Sequence, residues 1–168
     1  MKTRTLLFFL LLGFAAPGAQ AKKSYAKHNK GYFYDVGISF GGTFPKDNPQ
    51  AFMEAFTTQG YQFSNTFSVG VGVATYNTQT VNVYLQLRFN LRNVTETRAH
   101  YPYIALRGGY SWSTWTGETW GDDRGPIVDP RFGWSFYTKE ANLRWSVFLA
   151  PSFYQFHFMP KIGLAFEF

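Results

Sequence analysis

Apolar and polar side chains alternate along most of the chain after residue 31. The stretch Thr80–Leu91 shows this most clearly, because every second residue is apolar: Val81, Val83, Leu85, Leu87, Phe89 and Leu91. A period of two residues predicts a β-strand with one apolar face. Applied to the whole chain, the pattern predicts eight strands, at residues 32–44, 52–63, 67–76, 80–91, 103–113, 128–138, 143–156 and 161–168. It is weakest in the second strand. Pro130 interrupts the sixth, where we expect a bulge or a local loss of pairing.

Polar segments connect the predicted strands. If both chain ends lie on one side of an up-and-down barrel, successive connections alternate between the two sides. On the side of the chain ends we expect the connections at Asn65, Asn93–His100 and Glu140–Asn142. On the opposite side we expect those at Pro45–Ala51, Asn77–Gln79, Trp115–Ile127 and His157–Pro160. No second domain or long repeat interrupts this series.

The first 21 residues have a different character. Lys2 and Arg4 precede a short apolar run, Leu6–Phe14, and the small residues Ala19 and Ala21 form a typical cleavage site. This order predicts a secretory signal peptide. A membrane anchor is the alternative, but the run is shorter than the roughly 20 residues that span a bilayer. We therefore divide the chain into a signal peptide (1–21), a lysine-rich tail (22–31) and one strand-rich domain (32–168).

The composition narrows the class of protein. Aromatic residues make up 21% of the chain and charged residues 15%, yet no stretch after the signal peptide predicts a transmembrane helix. A closed β-barrel is the other structure that crosses a bilayer with every backbone group paired. Because the chain has no cysteine, lipoprotein anchoring, disulfides and thiol chemistry are excluded. The predicted fold is therefore an all-β, eight-stranded antiparallel up-and-down transmembrane β-barrel.

The alternation alone does not say which face of each strand points into the barrel. A secreted, lipocalin-like barrel would bury its apolar face, but an eight-stranded interior is too narrow for so many large apolar side chains. The other face carries small residues and charges of both signs, which can pair in a narrow lumen. On a lipid-facing surface, each mid-membrane arginine would cost about 2–4 kcal/mol. We therefore expect the apolar face to meet lipid.

This choice of face predicts two sets of residues. The charged residues expected to line the lumen are Asp35, Arg88, Arg107, Asp129, Arg131, Arg144, Lys161 and Glu167. Aromatic residues near strand ends fit the membrane interfaces; they are Tyr32, Tyr34, Phe44, Phe67, Trp112, Phe153 and Phe168.

The C-terminal strand ends in a recognisable signal. Lys161, Gly163, Phe166 and Phe168 occupy the polar, glycine and two hydrophobic positions that are similar to the C-terminal assembly signal of bacterial outer-membrane barrels. The segment Gly60–Phe63, at the end of the second predicted strand, leads through a tight turn into the third, with the sequence FSVGVGVATY. With these features the chain resembles the small outer-membrane barrels of the outer membrane protein X and OmpA-barrel type, and above all their Bacteroidetes relatives.

The resemblance covers the whole chain after the signal peptide and implies location more than activity. It implies a monomer in the bacterial cell outer membrane, with a periplasmic N-terminal tail, surrounded by lipid and lipopolysaccharide. Barrel assembly machinery is the partner that the C-terminal signal implies. Barrels of this size include adhesins, structural proteins and lipid-modifying enzymes, so the family likeness does not choose among functions.

The longest predicted outer loop is the best candidate for recognition, because exposed tryptophan beside charged residues suits partner binding. Its candidate residues are Trp115, Glu118, Trp120, Asp122, Asp123 and Arg124. Trp115 could instead anchor the membrane interface, and the acidic residues lack the spacing of an EF-hand loop. Isolated His28 and His100 lack metal-ligand spacing, so we expect no metal and no cofactor. Basic residues do not cluster with aromatics on one face, which argues against nucleic-acid binding.

Three functions fit such a barrel. The charged inward face predicts a salt-bridged plug in a protein with a structural or surface-interaction role and no catalysis. Ser152 and His157, near the outer end of the seventh strand, leave open a lipid-modifying enzyme such as a lipid A deacylase or acyltransferase. A catalytic triad would also need a third, orienting group, which the spacing does not supply. A restricted small-solute channel is the third function, although eight strands leave no wide aqueous path.

Overall fold

The computed structural model describes residues 30–43, 50–76, 80–91, 100–113, 124–138, 143–154 and 157–168. These residues form β1 (Gly31–Thr43), β2 (Gln50–Gln62), β3 (Phe67–Tyr76), β4 (Thr80–Asn90), β5 (His100–Ser113), β6 (Gly125–Thr138), β7 (Leu143–Tyr154) and β8 (His157–Glu167). Each strand pairs antiparallel with the next, and β8 pairs with β1, which closes the barrel. The predicted all-β, eight-stranded antiparallel barrel is confirmed. No helix in the described part of the chain is long and apolar enough to cross a membrane.

The last residue of the chain takes part in closing the barrel. The backbone N–H of Phe168 donates to the carbonyl of Tyr34 at 2.8 Å, and the N–H of Tyr34 donates back at 3.2 Å. From there the β1–β8 ladder continues as far as Gly41 and Lys161. We call the end of the barrel where β1 begins and β8 ends the lower end, and the opposite end the upper end.

Successive residues of each strand face opposite sides of the wall, as the pleat requires. In β8, Lys161 is 3% exposed, whereas the next residue, Ile162, is 59% exposed. The large apolar side chains exposed on the outside include Ile38, Phe40, Leu85, Leu106, Phe132, Leu149 and Ile162. The outer surface of the barrel is therefore apolar, and its interior holds the charged residues.

Several strands are longer than the alternation predicts, so some predicted connections are wrong. The segment His157–Pro160 begins β8 and is not a connection, and residues 125–127 and 50–51 belong to β6 and β2. β5 begins at His100, three residues before the predicted start at 103. The reason is that a ladder continues wherever the neighbouring backbone offers partners, as it does where Tyr154 pairs with His157, even when the side chains no longer alternate.

The predicted connection at Asn65 is a turn in the structure. At Asn65 the chain turns tightly, with the N–H of Phe63 donating to the carbonyl of Phe67 at 3.0 Å. The hydroxyl of Ser64 accepts the N–H of Phe67 at 3.1 Å and so fixes the turn. The predicted signal peptide, residues 22–29 of the tail, and residues 44–49, 77–79, 92–99, 114–123, 139–142 and 155–156 lie outside the described residues.

Pro130 causes a local loss of pairing and no bulge. Val128 pairs with Phe153 above it, and Phe132 pairs with Leu149 below it, in the same register. The three positions between, 129–131, have no partners in the β6–β7 ladder. Continuing the register places Pro130 opposite Pro151. Neither residue has an N–H to donate, which explains why the ladder stops and resumes without a shift.

Glycines in the wall make room for aromatic rings in the lumen. We expected the inward face to hold mainly small residues and charges, but it also carries large rings: Phe33, Phe52, Phe56, Tyr76, Tyr84, Tyr101, Tyr103, Phe148 and Tyr154. A Cβ at Gly37 would overlap the ring of Phe56, and one at Gly163 would overlap the ring of Phe148. The narrow lumen is thus filled by large rings that pack against glycines, where no side chain competes for the space.

Gly37→Ala should therefore destabilise the barrel by about 1–3 kcal/mol, because overpacking forces rings or backbone to move. The added methyl would also meet the carbonyl oxygen of Leu164, which cannot move away alone. Reversible urea unfolding of the refolded barrel measures the effect. Gly108→Ala is the matched control, since a Cβ there has no atom within 4 Å. The explanation is wrong if both substitutions cost the same, or if Phe56→Leu fails to recover part of the loss.

Candidate functional site: a charge network in the lumen

Glu54 of β2 is the centre of a network of ion pairs in the middle of the barrel. Its carboxylate lies 2.6 Å from Lys161 Nζ, 3.0 Å from Arg131 and 3.6 Å from Arg107. It also accepts a hydrogen bond from the hydroxyl of Tyr76 at 2.8 Å. A charge buried this deeply requires such partners, because leaving it unpaired costs several kcal/mol. The network joins β2 to β5, β6 and β8 across the lumen.

Aromatic rings hold the two arginines of this network in place. The guanidinium of Arg107 lies 4.1 Å from the ring centroid of Phe56 and 4.3 Å from that of Tyr84. The guanidinium of Arg131 lies 4.5 Å from Phe56 and 4.2 Å from Phe148. A planar cation over a ring face is attracted by the ring quadrupole. Phe56 contacts both cations and so helps to accommodate two positive charges side by side.

Asp129 of β6 is the second carboxylate of the network. It accepts a hydrogen bond from Arg131 Nε at 3.0 Å and one from Lys161 Nζ at 3.1 Å. Its other oxygen accepts the hydroxyl of Ser152 at 2.6 Å. Lys161 therefore bridges Glu54 and Asp129, and each carboxylate contacts more than one cation. Such shared contacts make the interior rigid, although Nη1 of Arg107 makes only its 3.6 Å ion pair with Glu54 and no hydrogen bond to the described residues.

A second group of charges lies nearer the lower end. Arg88 and Arg144 both form ion pairs with Glu167, the former at 3.6 Å. Arg144 also donates to the hydroxyl of Tyr101 at 2.7 Å, and Arg88 donates to the hydroxyl of Ser135 at 2.6 Å. The side chain of Glu167 is 12% exposed, more than any carboxylate of the central network.

Several buried polar atoms lack a hydrogen-bond partner among the described residues, and two of the side chains concerned are Asp35 and Asn82. Oδ1 of Asp35 has no hydrogen-bond partner among the described residues, although Asp35 pairs with Glu167 in the β1–β8 ladder. Both amide atoms of Asn82 also lack a partner in the same part of the chain. Buried polar groups of this kind are sites where ordered water binds.

Apolar side chains occupy the lumen above the central network. The buried residues of this upper layer are Phe52, Tyr76, Ile127, Tyr154 and Met159. The rings of Tyr76 and Tyr154 meet edge to face with centroids 4.9 Å apart, and Phe52 packs on Tyr76 at 5.1 Å. The lumen is thus filled above by these mainly apolar side chains, beside which Asn82 and Ser111 are also buried, and by charged groups in the middle and below.

All eight charges expected in the lumen lie on the inner face, and the structure places seven of them, all but Asp35, in two connected groups, one around Glu54 and one around Glu167. The sequence prediction missed Glu54, because β2 alternates poorly and its inner face mixes Glu54 with Phe52 and Phe56. A signal was nevertheless present. The expected lumen set has five cations and only three anions, an imbalance that a narrow, buried interior does not tolerate.

The residues of the C-terminal assembly signal lie on both faces of β8. Lys161 belongs to the central network, and Gly163 leaves space for the ring of Phe148. Phe168 is exposed on the outside, and Phe166 lies on the same face, half-buried. The polar and glycine positions of this signal thus have packing partners inside the finished barrel.

Ser152 and His157 are differently placed. Ser152 is fully buried, and its hydroxyl donates to Asp129. His157 is exposed at the upper rim, opposite Tyr154. Within the described residues, the hydroxyl of Ser152 is therefore engaged by a lumen carboxylate, and its burial keeps it away from the rim.

Of the six candidate recognition residues in the longest predicted outer loop, which lies at the upper end and which we call the upper loop, one is described. Arg124, which precedes β6, is exposed, whereas Trp115, Glu118, Trp120, Asp122 and Asp123 lie outside the described residues. Among the described side chains, no group of three or more histidine, aspartate or glutamate residues is arranged to hold a metal ion.

Comparison with solved structures finds the same architecture. The N-terminal β-barrel domain of Pseudomonas aeruginosa OprF matches with a TM-score of 0.56 and 14% identity, over 80% of this chain and 97% of that one. A structure described as a de novo designed transmembrane β-barrel matches with a TM-score of 0.50 and 14% identity, over 82% of this chain and 94% of that one. At this identity the similarity establishes the fold alone. No protein-family model and no curated protein matches the sequence.

Proposed function

We propose that this chain is an integral protein of the bacterial outer membrane, a monomeric barrel with a filled lumen and a structural or surface-interaction role. The observation that carries the proposal is the orientation of the two faces. Large apolar side chains cover the outside of the closed barrel, whereas the ionised side chains pair inside it. In water this arrangement would be inverted, because the hydrophobic effect buries apolar surface and solvates charge.

Aromatic pairs at both ends of the outer face support a membrane location. Near the lower end, Phe136 stacks on Trp145 with centroids 4.3 Å apart, and His100 lies over Trp134. Near the upper end, Tyr110 packs on Trp112. His100 and Trp112 lie twelve residues apart on β5, about 40 Å along a strand. At a tilt of roughly 40° this is about 30 Å, the thickness of a hydrocarbon core.

The filled lumen supports a role without wide-pore conduction. The charged groups and the apolar layer above them occupy the space through which solutes would pass, and an eight-stranded barrel has little room beyond its side chains. The engagement of Ser152 with Asp129 supports a role without a serine nucleophile. A porin-sized conductance in a planar bilayer would contradict this part of the proposal.

The proposal includes the family likeness seen in the sequence. The C-terminal signal, the tight turn at Asn65 and the barrel architecture together support membership of the small outer-membrane barrels of the outer membrane protein X and OmpA-barrel type. In that setting, lipid and lipopolysaccharide surround the wall, and barrel assembly machinery inserts the chain by way of its last strand. The lower end then faces the periplasm and the upper end faces the cell exterior.

Membrane fractionation with gel electrophoresis of boiled and unboiled samples tests the location directly. We expect the mature chain in the outer-membrane fraction, with different mobility before and after boiling, because a closed barrel resists detergent until heated. A soluble periplasmic protein with a single mobility would overturn the proposal. A lipocalin-like, ligand-binding barrel would then become the better interpretation.

Deleting the upper loop tests the surface-interaction role. Removing the segment Trp115–Arg124, which ends before β6, should abolish binding of intact cells to a host or bacterial surface that wild-type cells bind, while leaving the heat-dependent mobility shift intact. Shortening the turn around Asn65, at the opposite end, is the control and should leave binding unchanged. Equal binding by wild-type and loop-deleted cells would favour a purely structural role.

A further inference from the structure

Aromatic side chains form a belt around the lower end of the outer face. Along β1 to β4 their rings follow one another in contact, with centroids 5.2 Å apart for Tyr32 and Tyr61, 5.1 Å for Tyr61 and Phe63, 6.0 Å for Phe63 and Phe67, and 4.9 Å for Phe67 and Phe89. On β5 to β7 the belt continues with His100, Trp134, Phe136 and Trp145. We call these residues the lower belt. Aromatic rings gathered at one height of a barrel mark the boundary between hydrocarbon and water.

Lys30 lies next to this boundary. It is exposed and directly precedes Gly31, the first residue of β1, and Tyr32 of the lower belt follows. Three further lysines precede it in the lysine-rich tail, at positions 22, 23 and 27. Because an extended chain spans at most about 3.6 Å per residue, all four lysines lie within about 35 Å of the lower belt.

The backbone changes direction where it leaves the barrel. Lys30 lies in a bend, and Gly31 has a φ of 147°, a conformation that glycine adopts freely and other residues rarely do. Without a bend, the chain would continue along the strand axis and carry the preceding residues away from the bilayer. The bend therefore allows the tail to run along the membrane surface.

Charges outside the lumen are distributed unequally between the two ends of the barrel. Chain order places seven cations and two anions in the tail and the connections of the lower end: Lys22, Lys23, Lys27, Lys30, Arg92, Arg98 and Lys139, with Glu96 and Glu140. It places two cations and four anions in the connections of the upper end: Lys46 and Arg124, with Asp47, Glu118, Asp122 and Asp123. The lower end is therefore the end that attracts anions.

From these observations we propose that the lysine-rich tail binds the anionic phospholipid headgroups of the periplasmic leaflet. The inference rests on the membrane location proposed above and on cleavage after Ala21. The partner is a lipid surface because the lower belt places Lys30 at headgroup level, and a basic segment at that height is attracted to anionic lipid. A cell-wall polymer is the competing partner, and it lies farther from the belt.

Spin-labelled lipids measure this selectivity in vesicles. The chain from residue 22 onward is refolded in phosphatidylcholine vesicles that contain a trace of spin-labelled phosphatidylglycerol or spin-labelled phosphatidylcholine. Electron paramagnetic resonance then gives the fraction of each label that the protein immobilises. The test variant replaces Lys22, Lys23, Lys27 and Lys30 with glutamine. Arg124→Gln is the control, because Arg124 is an exposed cation at the opposite end.

We expect the wild-type protein to prefer phosphatidylglycerol over phosphatidylcholine by about twofold or more at low salt, because each lysine near the surface attracts anionic lipid. The lysine variant should lose about half of this preference or more, and so should the wild type at 1 M salt, where the Debye length is about 3 Å. Arg124→Gln should keep the preference. Heat-dependent mobility shows that each variant is folded.

Three results would contradict the inference or its premise. Equal immobilisation of the two lipids by the wild type, or a preference that ignores the four lysines, overturns the lipid-binding tail. If the lysine substitutions instead abolish co-sedimentation with purified peptidoglycan and leave the lipid preference unchanged, the partner is the cell-wall polymer and the inference is wrong. Absence of any immobilised lipid would contradict the membrane location itself, so the two failures are distinguishable.

Discussion

Replacing Glu54 with glutamine is expected to lower the free energy of unfolding of the barrel by about 3–5 kcal/mol, the cost of removing one partner from a buried ion pair. The substitution keeps the volume of the side chain, so the loss reports charge and not a cavity. Three cations, Arg107, Arg131 and Lys161, would then share Asp129 as their remaining carboxylate in the central network. Urea unfolding of the refolded barrel in lipid vesicles measures the effect.

Two comparisons decide whether the buried network is the cause. Glu167→Gln is the matched control, because this side chain is 12% exposed against 1% for Glu54, and solvent can compensate its loss. Its effect should be clearly smaller. Adding Lys161→Met to Glu54→Gln removes one of the three cations that then share Asp129 and should recover part of the stability. If Glu54→Gln and Glu167→Gln cost the same, Glu54 is not the centre of the network.

Leu149→Arg is expected to destabilise the barrel in a bilayer by about 2–4 kcal/mol, because an arginine near the membrane midplane loses its hydration. Leu149 lies in the middle of β7, points outward and is 59% exposed. In a water-soluble barrel the same substitution at such an exposed site would be close to neutral. Unfolding in vesicles therefore distinguishes a lipid-facing surface from a water-facing one.

The control for this prediction is an arginine at the membrane edge. Thr138 ends β6 at the lower end of the barrel and is also exposed. Thr138→Arg should cost about 0–1 kcal/mol, because an arginine near the interface keeps contact with water. Equal and small effects at both positions would mean that the outer face meets water, and the proposed membrane location would fail.

The two outcomes for β2 and β8 show where prediction from sequence succeeds. In β8, small and charged residues alternate strictly with Ile162, Leu164 and Phe166, and the predicted faces agree with the structure. In β2, Phe52 and Phe56 share the inner face with Glu54, so apolarity does not mark the outer face. Hydrophobicity assigns faces only where the two sides of a strand differ in polarity.

Contacts inside the lumen depend on residues that are far apart in sequence. Glu54 and Lys161 are separated by 107 positions and meet because the barrel closes through β1 and β8. The space for Phe56 is made by Gly37 on the neighbouring strand, and no local pattern marks that pairing. The interruption of the β6–β7 ladder has the same origin, since Pro130 and Pro151 become neighbours only when β6 and β7 are aligned.

By itself, the sequence determined the number of strands, their approximate positions and which face of most of them is apolar, because a two-residue period follows directly from the geometry of an extended backbone. Only the tertiary structure decided the register of the strands, and with it the central role of Glu54, the glycine spaces beneath the aromatic rings and the interruption of the β6–β7 ladder at Pro130. Register is a relation between strands, set by packing and hydrogen bonding across the closed barrel, and it has no signature within any one strand.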